Sequence, residues 1–156
     1  MKEIHTNVSQ RTLKIRKEYR ARIELLRNRL GLLSGEDRLL MTMYLERENS
    51  FRQIARLAGV SDTVIARRIN KLTKRLLDGE YISCLRNHNK FGKTDMSIAK
   101  DYFLMGLSIK KIAAKRHLTY YRARETIKKI RQTLTTMQPD SVQDTNQAEQ
   151  ASARFN

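Results

Sequence analysis

Residues 50–69 read Ser50-Phe51-Arg52-Gln53-Ile54-Ala55-Arg56-Leu57-Ala58-Gly59-Val60-Ser61-Asp62-Thr63-Val64-Ile65-Ala66-Arg67-Arg68-Ile69. Ser50 is a good N-cap for a short helix over 51–57. Ala58-Gly59-Val60 is a tight turn, and Gly59 accepts the left-handed backbone conformation that such a turn demands. Ser61 caps a second, longer helix ending near Leu77. Two helices crossing steeply need a small residue at the contact, which Ala55 supplies. Ile65, Ile69, Leu72 and Leu76 recur at helical spacing and mark the inward face of the second helix. Upstream, Ser34 or Gly35 opens another helix, with Glu36 and Asp37 favourably placed in its first turn. Its apolar face is expected to be Leu39, Leu40, Met43 and Tyr44.

A shift of 58 residues superposes this stretch on a second one without a gap. Asp37 meets Asp95, Tyr44 meets Tyr102, Ser50 meets Ser108, and Ile54-Ala55 meets Ile112-Ala113. Ile69 meets Ile127, Lys71 meets Lys129, and Leu76 meets Leu134. Val60 pairs with Leu118, Ser61 with Thr119, and Leu72 with Ile130. The matched positions are apolar or capping ones, as when a duplicated fold keeps its core while its surface diverges. The second stretch places Ala123, Ile127, Ile130 and Leu134 on its inner face. His117 replaces the turn glycine, at some cost in a left-handed conformation. Each stretch therefore has the grammar of a helix-turn-helix.

Residues 33–77 resemble region four of bacterial sigma factors, the module that reads the upstream promoter element. The residues that carry the resemblance are Ile54-Ala55, Gly59-Val60-Ser61, Thr63-Val64-Ile65 and Arg67-Arg68-Ile69. Residues 93–134 look like a weaker copy. The resemblance implies DNA binding. It does not extend to an aromatic, melting-type region two, which residues 1–32 are too short to hold.

Charge points the same way. The 156 residues carry 32 Lys+Arg against 16 Asp+Glu, a net +16. Residues 10–30 hold eight bases against Glu18 and Glu24, a net +6, and residues 108–134 hold nine against Glu125, a net +8. Such an excess implies an anionic partner, nucleic acid first among them. Several classes drop out. No apolar run approaches the roughly 20 residues of a membrane span, and residues 1–10 have no signal-type apolar core. A single cysteine, Cys84, excludes a disulfide framework. Cys84 with His88 lacks further ligands, so no metal is expected, nor any cofactor. There is no phosphate-binding glycine loop, nucleophile motif or paired carboxylate, so no catalysis is expected. Asp95 and Asp101 read as a cap-region charge and a surface charge.

The expected architecture is all-α: a basic N-terminal helix (1–32), a first trihelical helix-turn-helix unit (33–78), a linker (79–93), a second unit (94–137) and a disordered tail (138–156). Residues 81–85 are open between strand, extended linker and helix extension. The run at 10–30 reads as a helix capped by Ser9. Its charged face is solvated, packs between the units, or lies on phosphate. In the first unit Asp62, Thr63, Ala66, Arg67 and Asn70 point outward as base readers, since Arg pairs bidentately with guanine and Asn with adenine. Ser50, Arg52, Ser61, Arg68 and Lys71 are placed to meet phosphates. In the second unit the readers are Tyr120, Tyr121, Arg124, Glu125 and Lys128, with one of the tyrosines partly buried. Lys110, Lys111, Thr119, Arg122 and Lys129 meet the backbone. About six neutralised phosphates would give a log–log salt slope near −5.

The expected function is sequence-specific duplex DNA binding by a cytoplasmic, nucleoid-associated transcription regulator, for which a monomer suffices. RNA polymerase is a second candidate partner. The alternatives are the DNA-binding subunit of a recombination or transposition system, and an adaptor for RNA polymerase or RNA.

Overall fold

The computed structural model describes residues 9–137, and the tail expected to be disordered lies outside them. Among the described residues the chain is helical throughout. In order come α1 (Gln10–Arg29), α2 (Gly35–Leu45), α3 (Phe51–Ala58), α4 (Asp62–Asp78), α5 (Glu80–Arg86), α6 (Lys93–Ala99), α7 (Ile109–Arg116) and α8 (Tyr120–Met137). Short 3-10 turns follow α1 and α5, and α6 runs into a π-helical turn at Lys100–Leu104. No helix among these residues is long and apolar enough to cross a membrane. The chain divides into two compact units, Met1–Ile82 with Phe103–Met105, and Ser83–Tyr102 with Gly106–Asn156.

In the first unit α2, α3 and α4 pack together, and α1 lies against α2 and α4. Ser50 caps α3 in a reciprocal box: its Oγ accepts from the Gln53 N–H at 3.2 Å, and Gln53 Oε1 accepts from the Ser50 N–H at 2.8 Å. Gly59 ends α3 at φ 67°, and Ser61 Oγ accepts from the Val64 N–H to start α4. Ile65, Ile69, Leu72 and Leu76 are all buried, each worth about 2 kcal/mol of apolar burial.

The second unit repeats this local geometry. α8 packs on α6 and α7. Ser108 caps α7 at φ −68° and ψ 154°, beside −68° and 159° at Ser50. His117 takes the left-handed conformation of Gly59, at φ 54°. Thr119 Oγ1 accepts from the Arg122 N–H, and Ala123, Ile127, Ile130 and Leu134 are buried.

Of the alternatives open for residues 81–85 the chain takes the helical one, in α5, with Tyr81, Ile82 and Cys84 buried. Between α4 and α5, Gly79 passes so close to the backbone carbonyl of Arg75 that a Cβ would collide with it. Three readings of the sequence are corrected. The buried face of α2 is Leu40, Met41 and Leu45, while Leu39 is 57% exposed and Met43 and Tyr44 are half-buried. Both Tyr120 and Tyr121 are exposed. Asp101 is not a surface charge: it is 2% exposed and held by two cations.

Candidate nucleic-acid interface

With its apolar stripe turned inward, α4 leaves Asp62, Thr63, Arg67 and Asn70 exposed and Ala66 half-buried. These side chains lie on the first two and a half turns, the part of a helix that enters a groove in a helix-turn-helix docking. Lys71 is exposed on the same helix, and Arg52 on the first turn of α3. Ser50 and Ser61 spend an oxygen on their caps and keep a hydroxyl hydrogen to donate.

Arg68 is engaged within the protein. Its guanidinium donates to Asp37 at 2.9 Å and to Glu36 at 3.1 Å, tying α4 to the start of α2. Burial pushes its pKa down, but hydrogen bonds and charge from Asp37 and Glu36 outweigh that and raise it. The two carboxylates balance the charge that was expected to meet phosphate.

α8 exposes Tyr120, Tyr121, Arg124 and Lys128 along one face, with Glu125 half-buried beside them. Lys110, Lys111 and Arg122 are exposed around the starts of α7 and α8. Lys129 reaches Asp95 at 3.4 Å but stays 68% exposed, so this pair is weak and screened. An open groove beside α8 is lined by Tyr102, Ile109, Arg124, Lys128, Arg131 and Gln132. The Arg131 guanidinium lies 5.3 Å from the centre of the Tyr102 ring, a cation–π contact on one wall of it.

The duplication also explains features that residue-by-residue reading missed. Asp37 and Asp95 are matched positions, and each ties the first helix of its set to a cation on the third, Arg68 in one case and Lys129 in the other. The repeat held part of that signal, since an acid kept at a matched position calls for a cation nearby, although the cations stand at different positions of the two copies. The copies differ in chemistry at one packed place. Met43, Leu57 and Ala58 correspond to Asp101, Lys115 and Arg116. In the second unit these three form an ion cluster, Lys115 Nζ at 2.7 Å and Arg116 Nε at 2.8 Å from the Asp101 carboxylate. Burial pushes the Asp101 carboxyl up, but hydrogen bonds and charge from Arg116 and Lys115 prevail and hold it below the ordinary carboxylate range. In the first unit the same place is an apolar groove bordered by Leu39, Met43, Leu57, Val60 and Val64.

The basic run of α1 has two parts. Near its C-terminal end Arg27 donates twice to the Leu45 carbonyl, and Arg29 donates to the carbonyls of Leu76 and Leu77. These are the last turns of α2 and α4, where carbonyls lack helical partners and the helix dipole favours a cation. Residues 10–22 are exposed throughout. Comparison with known protein families, with curated proteins and with solved structures returns no match.

Proposed function

We propose that this chain is a sequence-specific duplex DNA-binding transcription regulator of the sigma-region-four type, acting by binding and not by catalysis. The support is one arrangement that occurs twice: a left-handed turn, a side-chain cap, and a helix that buries one stripe and exposes a polar and cationic row. In α4 the row is Thr63, Arg67 and Asn70; in α8 it is Tyr120, Tyr121, Arg124 and Lys128. Arg and Asn carry donor patterns that match guanine and adenine edges in the major groove. Arg52 and Lys71 in one unit, and Lys110, Lys111 and Arg122 in the other, meet the phosphates that orient each helix. Two such helices on one chain make a dimer unnecessary, and the place of action is the nucleoid.

Selection of bound sequences from a random duplex pool tests this reading. Two half-motifs at fixed spacing are the expected result. Random sequences recovered without enrichment, or tighter binding to RNA at matched salt, would overturn it. A second reading, as an RNA polymerase adaptor, draws on the exposed apolar groove of the first unit. Leu57→Glu should then abolish capture of purified polymerase and leave DNA selection unchanged.

A further inference from the structure

The first half of α1 carries a dense positive charge to which the contacts of α4 and α8 give no role. Residues 10–22 carry Arg11, Lys14, Arg16, Lys17, Arg20 and Arg22 against Glu18 alone. All are exposed, and none of the six forms an ion pair among the described residues. The helix is nevertheless ordered and anchored. Ser9 caps its start, Leu26 and Leu30 are buried, and Arg27 and Arg29 bind it to the ends of α2 and α4. A helical stretch of positive charge is thus anchored to the unit by its far end.

Its position follows from spacing. Arg16, Arg20 and Arg27 fall at i, i+4 and i+11, so they share one flank of the helix. Arg27 on that flank reaches the Leu45 carbonyl, at the end of α2 and just ahead of α3. A shallow groove lined by Tyr19, Ile23, Arg27, Tyr44, Glu48 and Ser50 runs between α1 and the start of α3, with Glu48 the one acid in it. Arg16 and Arg20 therefore lie on the side of α1 whose Tyr19, Ile23 and Arg27 line this groove with Ser50. We infer that the first half of α1 is a phosphate-binding arm that follows the duplex backbone away from the groove entered by α4. Arg16 and Arg20 on that flank, with Lys17 next to Arg16 round the helix, make its principal contacts. The occupant is polyanionic because six cations face one acid. It is the same duplex because the arm continues the side of the unit where α3 begins.

This inference rests on the duplex-DNA reading, and one experiment separates their failures. The protein with Arg16→Gln, Lys17→Gln and Arg20→Gln is titrated beside the unchanged protein against the selected duplex at several salt concentrations. The three residues are exposed, so the circular dichroism spectrum and melting temperature should stay the same. The log–log salt slope should become shallower by about 2.7, one phosphate per cation. The preferred sequence should not change. Ethylation interference should lose phosphates outside the half-motif read by α4 and keep those within it. If the unchanged protein binds duplex and the variant keeps the same slope, the arm is refuted while the function stands. If the unchanged protein ignores duplex or prefers RNA, both fall.

Discussion

Replacing Asp101 by Met tests whether the two copies solve the same packing problem by different chemistry. Asp101 is 2% exposed and accepts one charge-assisted hydrogen bond from Lys115 and one from Arg116. Each such bond contributes about 1.5–3 kcal/mol. The cations that lose their partner are 51% and 33% exposed, so water recovers part of the loss. The net cost of Asp101→Met should be about 2 kcal/mol. The triple replacement Asp101→Met, Lys115→Leu, Arg116→Ala installs the trio that the first unit carries at Met43, Leu57 and Ala58. It should return to within about 1 kcal/mol of the original, because removing a buried ion cluster entirely is far less harmful than stranding its members. Urea unfolding followed by amide exchange in α7 and α8 reads the second unit by itself. A triple variant as unstable as the single one would refute the equivalence of the two places. Acid supplies a second readout. The folded carboxyl lies below its ordinary value of 3.8, so its contribution is fully present above that value. It fades as pH falls through the folded pKa, and the Asp101→Met protein should lack this part of the acid transition.

Three further outcomes concern the interface and the two turns. Arg67→Ala should relax discrimination at one base pair by about 1–3 kcal/mol, read from binding to a panel of single-pair variants of the selected duplex. Lys71→Gln should lower the magnitude of the salt slope by about 0.9, whereas Arg68→Gln should leave it unchanged, because Asp37 and Glu36 already balance that charge; equal effects would contradict the ion pairs. Gly59→Ala should destabilise the first unit by about 1 kcal/mol through its left-handed φ of 67°, with no steric clash, and His117→Gly should stabilise the second by a similar amount; opposite signs in thermal melts would dispute the turn geometry.

The helical class, the caps at Ser9, Ser50, Ser61 and Thr119, the turn at Gly59 and the inner stripes of α4 and α8 were all legible in the residue order. Each is a short-range property: a cap bonds a backbone group three residues on, and an apolar stripe repeats within a turn. The repeat extended that legibility to His117, whose left-handed conformation follows from the glycine it matches. The outward rows of the two candidate reading helices were legible for the same reason, being what remains when the inward rows are known.

Partnerships between distant residues were not legible. Arg27 and Arg29 look like any other members of a basic run, and only the packing of α1 on α2 and α4 brings them to carbonyls at Leu45, Leu76 and Leu77. Arg68 shows no sign of its ion pairs in the sequence, and only the packing of α2 on α4 brings Asp37 and Glu36 to it. Asp101 looks solvated until the π-helical turn after α6 carries it inside between Lys115 and Arg116. Local backbone preference and hydrophobic period determined which segments are helices and which faces turn inward. The destination of each charge was decided only when the helices packed, because a charge interacts through space with whatever group the fold brings within a few ångströms, however far away it stands in the chain.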